Sequence, residues 1–220
     1  MNRKDIEIMA PAGSYESLMA AVQGGADSVY FGAGELNMRA ASSVNFSPDD
    51  LRKIAGICRD NGLKSYLTLN VVVFDNETEK MKVMVDTAMS AGISAIIASD
   101  LSVIKYAFGK GMEVHLSTQC NITNTEALRF FAQWADVAVL ARELNLGQVR
   151  KIYDNIIEQD IRGPGGDLVR IEMFVHGALC MAVSGKCYLS LHENNKSANR
   201  GQCYQRSEER RVGKECRSRW

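Results

Sequence analysis

Neither sign of charge prevails along these 220 residues: 26 lysines and arginines face 26 aspartates and glutamates. The global basic field that draws many proteins to nucleic acid is therefore missing. Apolar runs are short, none approaching the roughly 20 residues of a bilayer-spanning helix. The N-terminus, Met1-Asn-Arg-Lys-Asp-Ile6, enters a strand-like stretch without the apolar core of a signal peptide. These absences point to a cytoplasmic protein with no membrane partner. Six cysteines are too few for a disulfide scaffold in a chain of this size. In a reducing compartment clustered thiols more often bind metal or do redox chemistry. Three signatures are also lacking: a dinucleotide-binding glycine fingerprint, the His-Glu-x-x-His of zinc peptidases and the Gly-x-Ser-x-Gly nucleophile elbow.

What is present is a rhythm. Strand-like segments are expected at Ile6–Ala10, Ala26–Gly32, Leu63–Val73, Ile93–Ser99, Met112–Gln119, Asp136–Arg142 and Val169–Val175. Helix-like segments fall between them: Ser14, Ser47 before Pro48, and Asp100 each cap one, and the others begin at Asn76, Asn124 and Asn145. Strands this short and apolar are buried on both faces, and strict βα alternation implies a parallel sheet with right-handed crossovers. The expected fold is α/β, a parallel (β/α) TIM-like barrel truncated before closure, because about 250 residues is typical of the complete form. In that architecture chemistry sits at the C-terminal ends of the strands.

Two stretches stand apart. Arg206–Trp220 carries six basic and three acidic residues among its fifteen and a single aliphatic, Val212. It reads as a non-native or disordered tail beyond a barrel domain of residues 1–205, with a solvated basic tail as the alternative; Cys216 is left out of any site on that ground. The other stretch, Glu172-Met-Phe-Val-His-Gly-Ala-Leu-Cys180-Met-Ala-Val-Ser-Gly-Lys-Cys187 with Asn199-Arg-Gly-Gln-Cys203, concentrates three cysteines just after the last strand. Thiolates suit iron–sulfur clusters and zinc alike, but a Cys-x6-Cys-x15-Cys spacing is not that of a zinc finger. On spacing alone, a metal site and buried thiols are equally open.

The cysteine segment resembles the signature of the collagenase-like peptidase family U-32 at Glu172, Phe174, Gly177, Cys180, Gly185, Cys187 and Ser190. Ala10-Pro-Ala-Gly-Ser14, Gly24-Gly-Ala-Asp-Ser-Val-Tyr-Phe-Gly32 and Leu140-Ala-Arg-Glu-Leu144 are similar to that family as well, in the same order. The family name implies a peptidase. Other branches imply oxygen-independent hydroxylases with a 4Fe–4S cluster, acting on the wobble uridine of tRNA with prephenate as cosubstrate, on ribosomal RNA, or on ubiquinone precursors. The resemblance implies Cys180, Cys187 and Cys203 as metal ligands. A fourth cysteine is implied beyond Gln205, where such proteins continue Pro-Cys-Arg and this chain reads Arg206-Ser-Glu, so the fourth ligand is absent from this chain.

The remaining candidates follow from residue chemistry. Glu172 and His176 bracket the end of the seventh expected strand and are candidate catalytic groups for orienting a substrate or moving a proton. Arg142, at the end of the sixth, has the planar fork that grips a carboxylate, and with Arg39 and Asn70 forms the candidate substrate-binding set for a small dicarboxylate such as prephenate. An Arg142–Glu143 ion pair at the barrel rim is the plainer alternative. His115 reads as structural and His192 as solvated. Cys58 and Cys120 read as small buried hydrophobes. The expected activity is RNA hydroxylation, with tRNA or another RNA as partner. A collagenase-like peptidase and an inactive fragment needing a further region are the alternatives.

Overall fold

A computed structural model describes residues 6–38, 40, 46–177, 180 and 182–203. Seven parallel strands form one sheet in sequence order: β1 (Met9–Pro11), β2 (Ser28–Gly32), β3 (Lys64–Leu69), β4 (Ala95–Ala98), β5 (Glu113–Leu116), β6 (Val137–Val139) and β7 (Arg170–Glu172). Helices α1 (Tyr15–Gln23), α2 (Leu51–Asp60), α3 (Thr78–Ala91), α4 (Leu101–Gly109), α5 (Thr125–Ala132) and α6 (Leu146–Glu158) fill the crossovers in turn, and α7 (Leu189–Asn194) follows β7. The sheet curls into a TIM-like half-barrel, open between β7 and β1 among the described residues. Residues 1–5 and 204–220, including the charged tail, lie outside the described residues.

Local chemistry sets the helix starts. The side chains of Ser14, Asp100, Asn124 and Asn145 accept from the backbone N–H groups of Ser17, Ser102, Ala127 and Gln148, so each satisfies a donor the first turn leaves over. Two starts differ from expectation. After Ser47 and after Phe74 the chain first makes a tight 3-10 turn, Pro48–Asp50 and Asp75–Glu77, and only then an α-helix. In both, the acidic residue three places on bonds back to the preceding backbone N–H: Asp50 to Ser47 and Glu77 to Phe74. The strands are also shorter than their apolar runs, because pairing stops where the chain turns to enter each helix.

The two faces of the sheet bury different things. Leu67, Leu69, Ile96, Ala98, Val114, Leu116, Ala138 and Leu140 point outward, and all belong to one core shared with the helices. Tyr66, Ala95 and Ile97 point inward and form a second, much smaller cluster with Met9 and Tyr30. Val137 and Val139 on β6 also face inward, and beside them the inward row turns polar, with Glu113 and His115 on β5 and Arg170 and Glu172 on β7.

Candidate functional site

The segment after β7 folds back over the C-terminal ends of the strands, and glycine makes the close approach possible. Gly185 has φ +73°, and a Cβ there would sit 2.5 Å from the Gln119 carbonyl oxygen; at Gly201, φ +78°, it would meet the Asn37 carbonyl at 2.6 Å. The segment is then tied down across several loops. Val72 N–H donates to Asn199 O at 3.1 Å. Arg200 reaches the Val72 carbonyl, forks onto both oxygens of Glu77 at 2.6 Å, and lies 4.1 Å from the Phe74 ring centroid. The Arg200 hydrogen bonds hold the Glu77 carboxyl down to about 2.

Beneath this strap is a cavity of about 270 Å³, lined by Met38, Asn70, Ser99, Asp100, Gln119 and Asn199 among others. Asn70 is expected to bind substrate, and it does line the cavity, yet its polar atoms are engaged. Its Oδ1 accepts from Met38 N–H at 3.1 Å, and its Nδ2 donates to Gln119 Oε1 at 3.2 Å and Ser117 Oγ at 3.3 Å. Ser117 also donates to Gln119. Asp100 is spent in capping α4 and in accepting from Val73 N–H at 3.0 Å. Asn199 is different: its Oδ1 is buried and accepts from nothing.

Arg142 stands three residues past β6, not within it, because beyond Val139 the pairing shrinks to an isolated parallel bridge between Leu140 and Ile122 and the bond from Leu140 N–H to Glu172 O at 3.0 Å. Its Nη2 donates to Ser184 Oγ at 2.6 Å and to Ala182 O at 3.3 Å, while Nε is buried with no acceptor. No acidic side chain among the described residues pairs with this half-buried guanidinium, and Glu143 beside it is exposed. A positive charge held under the strap with a donor to spare is suited to an anion. Arg39, its expected companion, lies outside the described residues.

Glu172 and His176 are not brought together. β7 ends at Glu172, and His176, four residues further, is exposed. Glu172 turns into the curl, where its Oε2 stands 4.0 Å from His115 Nδ1. Burial, with help from the charge of Glu7, raises its carboxyl to about 7. His115, expected to be structural, is the buried histidine of this group at 2% exposure, and its Nε2 lies 3.1 Å from Glu113. Nothing local in the sequence marks that pairing; the alternation of β5 and β7 inward-facing residues is the one signal that could have. His192 is exposed on α7, as expected.

Cys180, Cys187 and Cys203 are half-buried and all lie on the strap; no disulfide joins any of the five described cysteines. Cys187 O accepts from Asn199 Nδ2 at 3.4 Å, fixing the backbone there. Thiols suit a cluster in kind, but the strap does not gather them. Among the described residues no three histidine, cysteine, aspartate or glutamate side chains stand close enough to hold one metal. Cys58 is buried in α2 as expected, whereas Cys120 is only partly buried and its thiol donates to the carbonyls of Ala98 and Ser99; burial raises their thiols to about 11 and 12.

These features define an α/β protein of the TIM-like class, with a strapped, cation-bearing mouth at the C-terminal ends of its strands. The profile of peptidase family U32 matches residues 13–210, and the chain belongs to that family. It is 64% identical over 205 residues to a protein named collagenase from Porphyromonas gingivalis strain W83, covering 93% of this chain and 50% of that one. It is 32% identical over 205 residues to tRNA hydroxylation protein P1 of Bacillus subtilis strain 168, covering 92% and 46%. The structure of the U32 peptidase Mk0906 superposes with a TM-score of 0.61 at 14% identity over 78% of this chain and 69% of that one, a likeness of fold. The chain spans about half the length of these curated relatives. Among the described residues, no helix is long and apolar enough to cross a membrane.

Proposed function

We propose that this chain is the barrel-bearing part of an RNA-hydroxylating U32 enzyme whose mouth takes a small carboxylate cosubstrate of the prephenate type. The observation that carries the reading is Arg142: a half-buried guanidinium beneath the strap, with an unused Nε donor and no acidic partner among the described residues. An RNA-hydroxylating relative supplies the reaction class. The likeness of the cysteine segment to the family signature supplies the 4Fe–4S cluster, with Cys180, Cys187 and Cys203 as its ligands. That assignment rests on donor chemistry and not on convergence of the thiols.

Two measurements test it. Calorimetric titration with prephenate should show binding that Arg142→Met weakens roughly 10- to 100-fold, the worth of a charge-assisted hydrogen bond. Anaerobically purified protein should carry iron and acid-labile sulfide, about four of each for one such cluster, lost in Cys180→Ala. Folded protein with neither iron nor prephenate affinity sinks the reading.

A second reading is favoured by the 64% identity to a protein named collagenase: peptide hydrolysis. A thiol peptidase needs a cysteine paired with a base, and His176, four residues before Cys180, is exposed. Gelatin cleavage abolished by Cys180→Ala and by His176→Ala, in protein free of iron, would establish it.

A further inference from the structure

The interior of the half-barrel is ionisable where a barrel of this class is ordinarily filled by branched aliphatic side chains. Glu113 begins β5 with its side chain 37% exposed, His115 two residues on is 2% exposed, and Glu172 ends β7 with its side chain 22% exposed. The middle member is sealed and both ends reach solvent. Arg170, also on β7, pairs with Glu113 and fixes that carboxylate in place. Tyr66 on β3 stacks on the His115 ring, centroids 4.5 Å apart, and is itself held by Glu7 through its hydroxyl at 2.5 Å. Lys64 neutralises Glu7 at 2.8 Å. The inward residues of β4 and β6 (Ala95, Ile97, Val137 and Val139) carry no charge.

Two buried polar atoms in this group have no hydrogen-bond partner among the described residues, and they are neighbours 4.0 Å apart: His115 Nδ1 and Glu172 Oε2. An unpaired buried polar group costs about 1–3 kcal/mol, so two retained side by side call for a use. The tautomer follows from the other nitrogen. Glu113 is ionised, held down to about 2 first by its bond to His115, and an ionised carboxylate can only accept. The Nε2 position therefore carries a proton, and in the neutral ring Nδ1 is then the lone pair that faces Glu172.

We propose that Glu113, His115 and Glu172 form a proton relay through the barrel interior, in which Glu113 fixes the ring proton on Nε2 and Glu172 exchanges a proton with Nδ1. A proton passing from Glu172 to Nδ1 leaves a carboxylate at Glu172 and an imidazolium between two carboxylates. Its return restores the neutral ring and the neutral acid, so charge is conserved at each step. Glu172 is the member at the C-terminal end of the sheet, where the mouth lies, and His115 and Glu113 are positioning residues behind it. The relay goes beyond the functional reading above and holds whichever U32 activity the chain serves.

The test is ring 15N NMR of histidine-labelled protein, titrated from about pH 5 to pH 9 across the range where histidine ordinarily ionises. The chain has three histidines, and loss of signals in His115→Asn assigns the buried one. Near neutrality the His115 ring should be the Nε2–H tautomer. Its signals should titrate in two steps, as coupled sites do. Glu172→Gln should reduce these to one step and leave His176 and His192 unchanged; Glu113→Gln should shift the tautomer toward Nδ1–H. A wild-type ring that near neutrality is the neutral Nδ1–H tautomer, with Nε2 bare, overturns the relay without any variant having to fold. So does a wild-type titration indistinguishable from that of Glu172→Gln.

Discussion

The outer and inner faces of the same seven strands are built by opposite rules. Outward, residues such as Leu67, Ile96, Val114 and Leu116 are fully or almost fully buried, and they meet equally apolar residues of the helices. Inward, a small apolar cluster around Tyr66 and Ile97 borders Glu7, Glu113, His115, Arg170 and Glu172. One face removes apolar surface from water and so supplies most of the folding free energy. The other holds charges that cost desolvation and contribute little net stability. Apolar burial and charge are thus separated across the thickness of a single sheet, and the strap over the C-terminal ends adds the further charged group Arg142 beneath it.

Substitutions can break or sharpen that separation. The largest stability loss is expected from the outer face: Ile96→Ala should cost about 2–5 kcal/mol in denaturant unfolding, with the His115 tautomer of the folded fraction unchanged. A change in both would show that the faces are energetically coupled.

The inner face should make itself felt through pH. The Glu172 carboxyl is raised from 4.5 to about 7, so the folded state holds a proton that the unfolded chain has released. Its stabilising contribution is full below about pH 4.5 and is lost as pH rises to 7, by at most roughly 3 kcal/mol. Glu172→Gln should flatten this fall in a series of chemical-denaturation curves. An unchanged slope would mean that the carboxyl is solvated.

The smallest effect is expected at the strap. Glu77, held at about 2 by Arg200, stabilises with the opposite sign: its contribution is present above about pH 4.5 and is lost as pH falls toward 2. Both side chains are about a quarter exposed, so Arg200→Met should cost only about 1 kcal/mol. It should raise amide hydrogen exchange at Val72 and Gly201 while leaving the strands protected. Loss of protection throughout the sheet would show that the strap is part of the folding core.

Much of this was legible in the sequence, and the reasons are local. Two caps, at Ser14 and Asp100, were readable because a short polar side chain satisfies its own helix's first turn, and Asn124 and Asn145, read as helix starts, act in the same way. Strand order was readable because βα alternation leaves parallel neighbours little choice. Arg142 was visible as a planar cation near a strand end; that Ser184, 42 residues on, would engage it was not. His115 read as structural because its neighbours in sequence are unremarkable. Its partner across the curl, Glu172, was assigned instead to His176. Helix α7 was missed, since Leu189–Asn194 has neither the length nor the cap that marks a helix.

By itself, then, the sequence determined the alternating parallel architecture, the helix boundaries set by caps and glycines, and the family. All of these rest on periodicity and on bonds that span a few residues. The tertiary structure alone decided which charges share the interior. Contacts such as Tyr66 to Glu7 and Arg170 to Glu113 join residues 59 and 57 positions apart. Such pairs form only when the sheet curls by a particular amount, and that curl is a collective result of packing every strand against its helix.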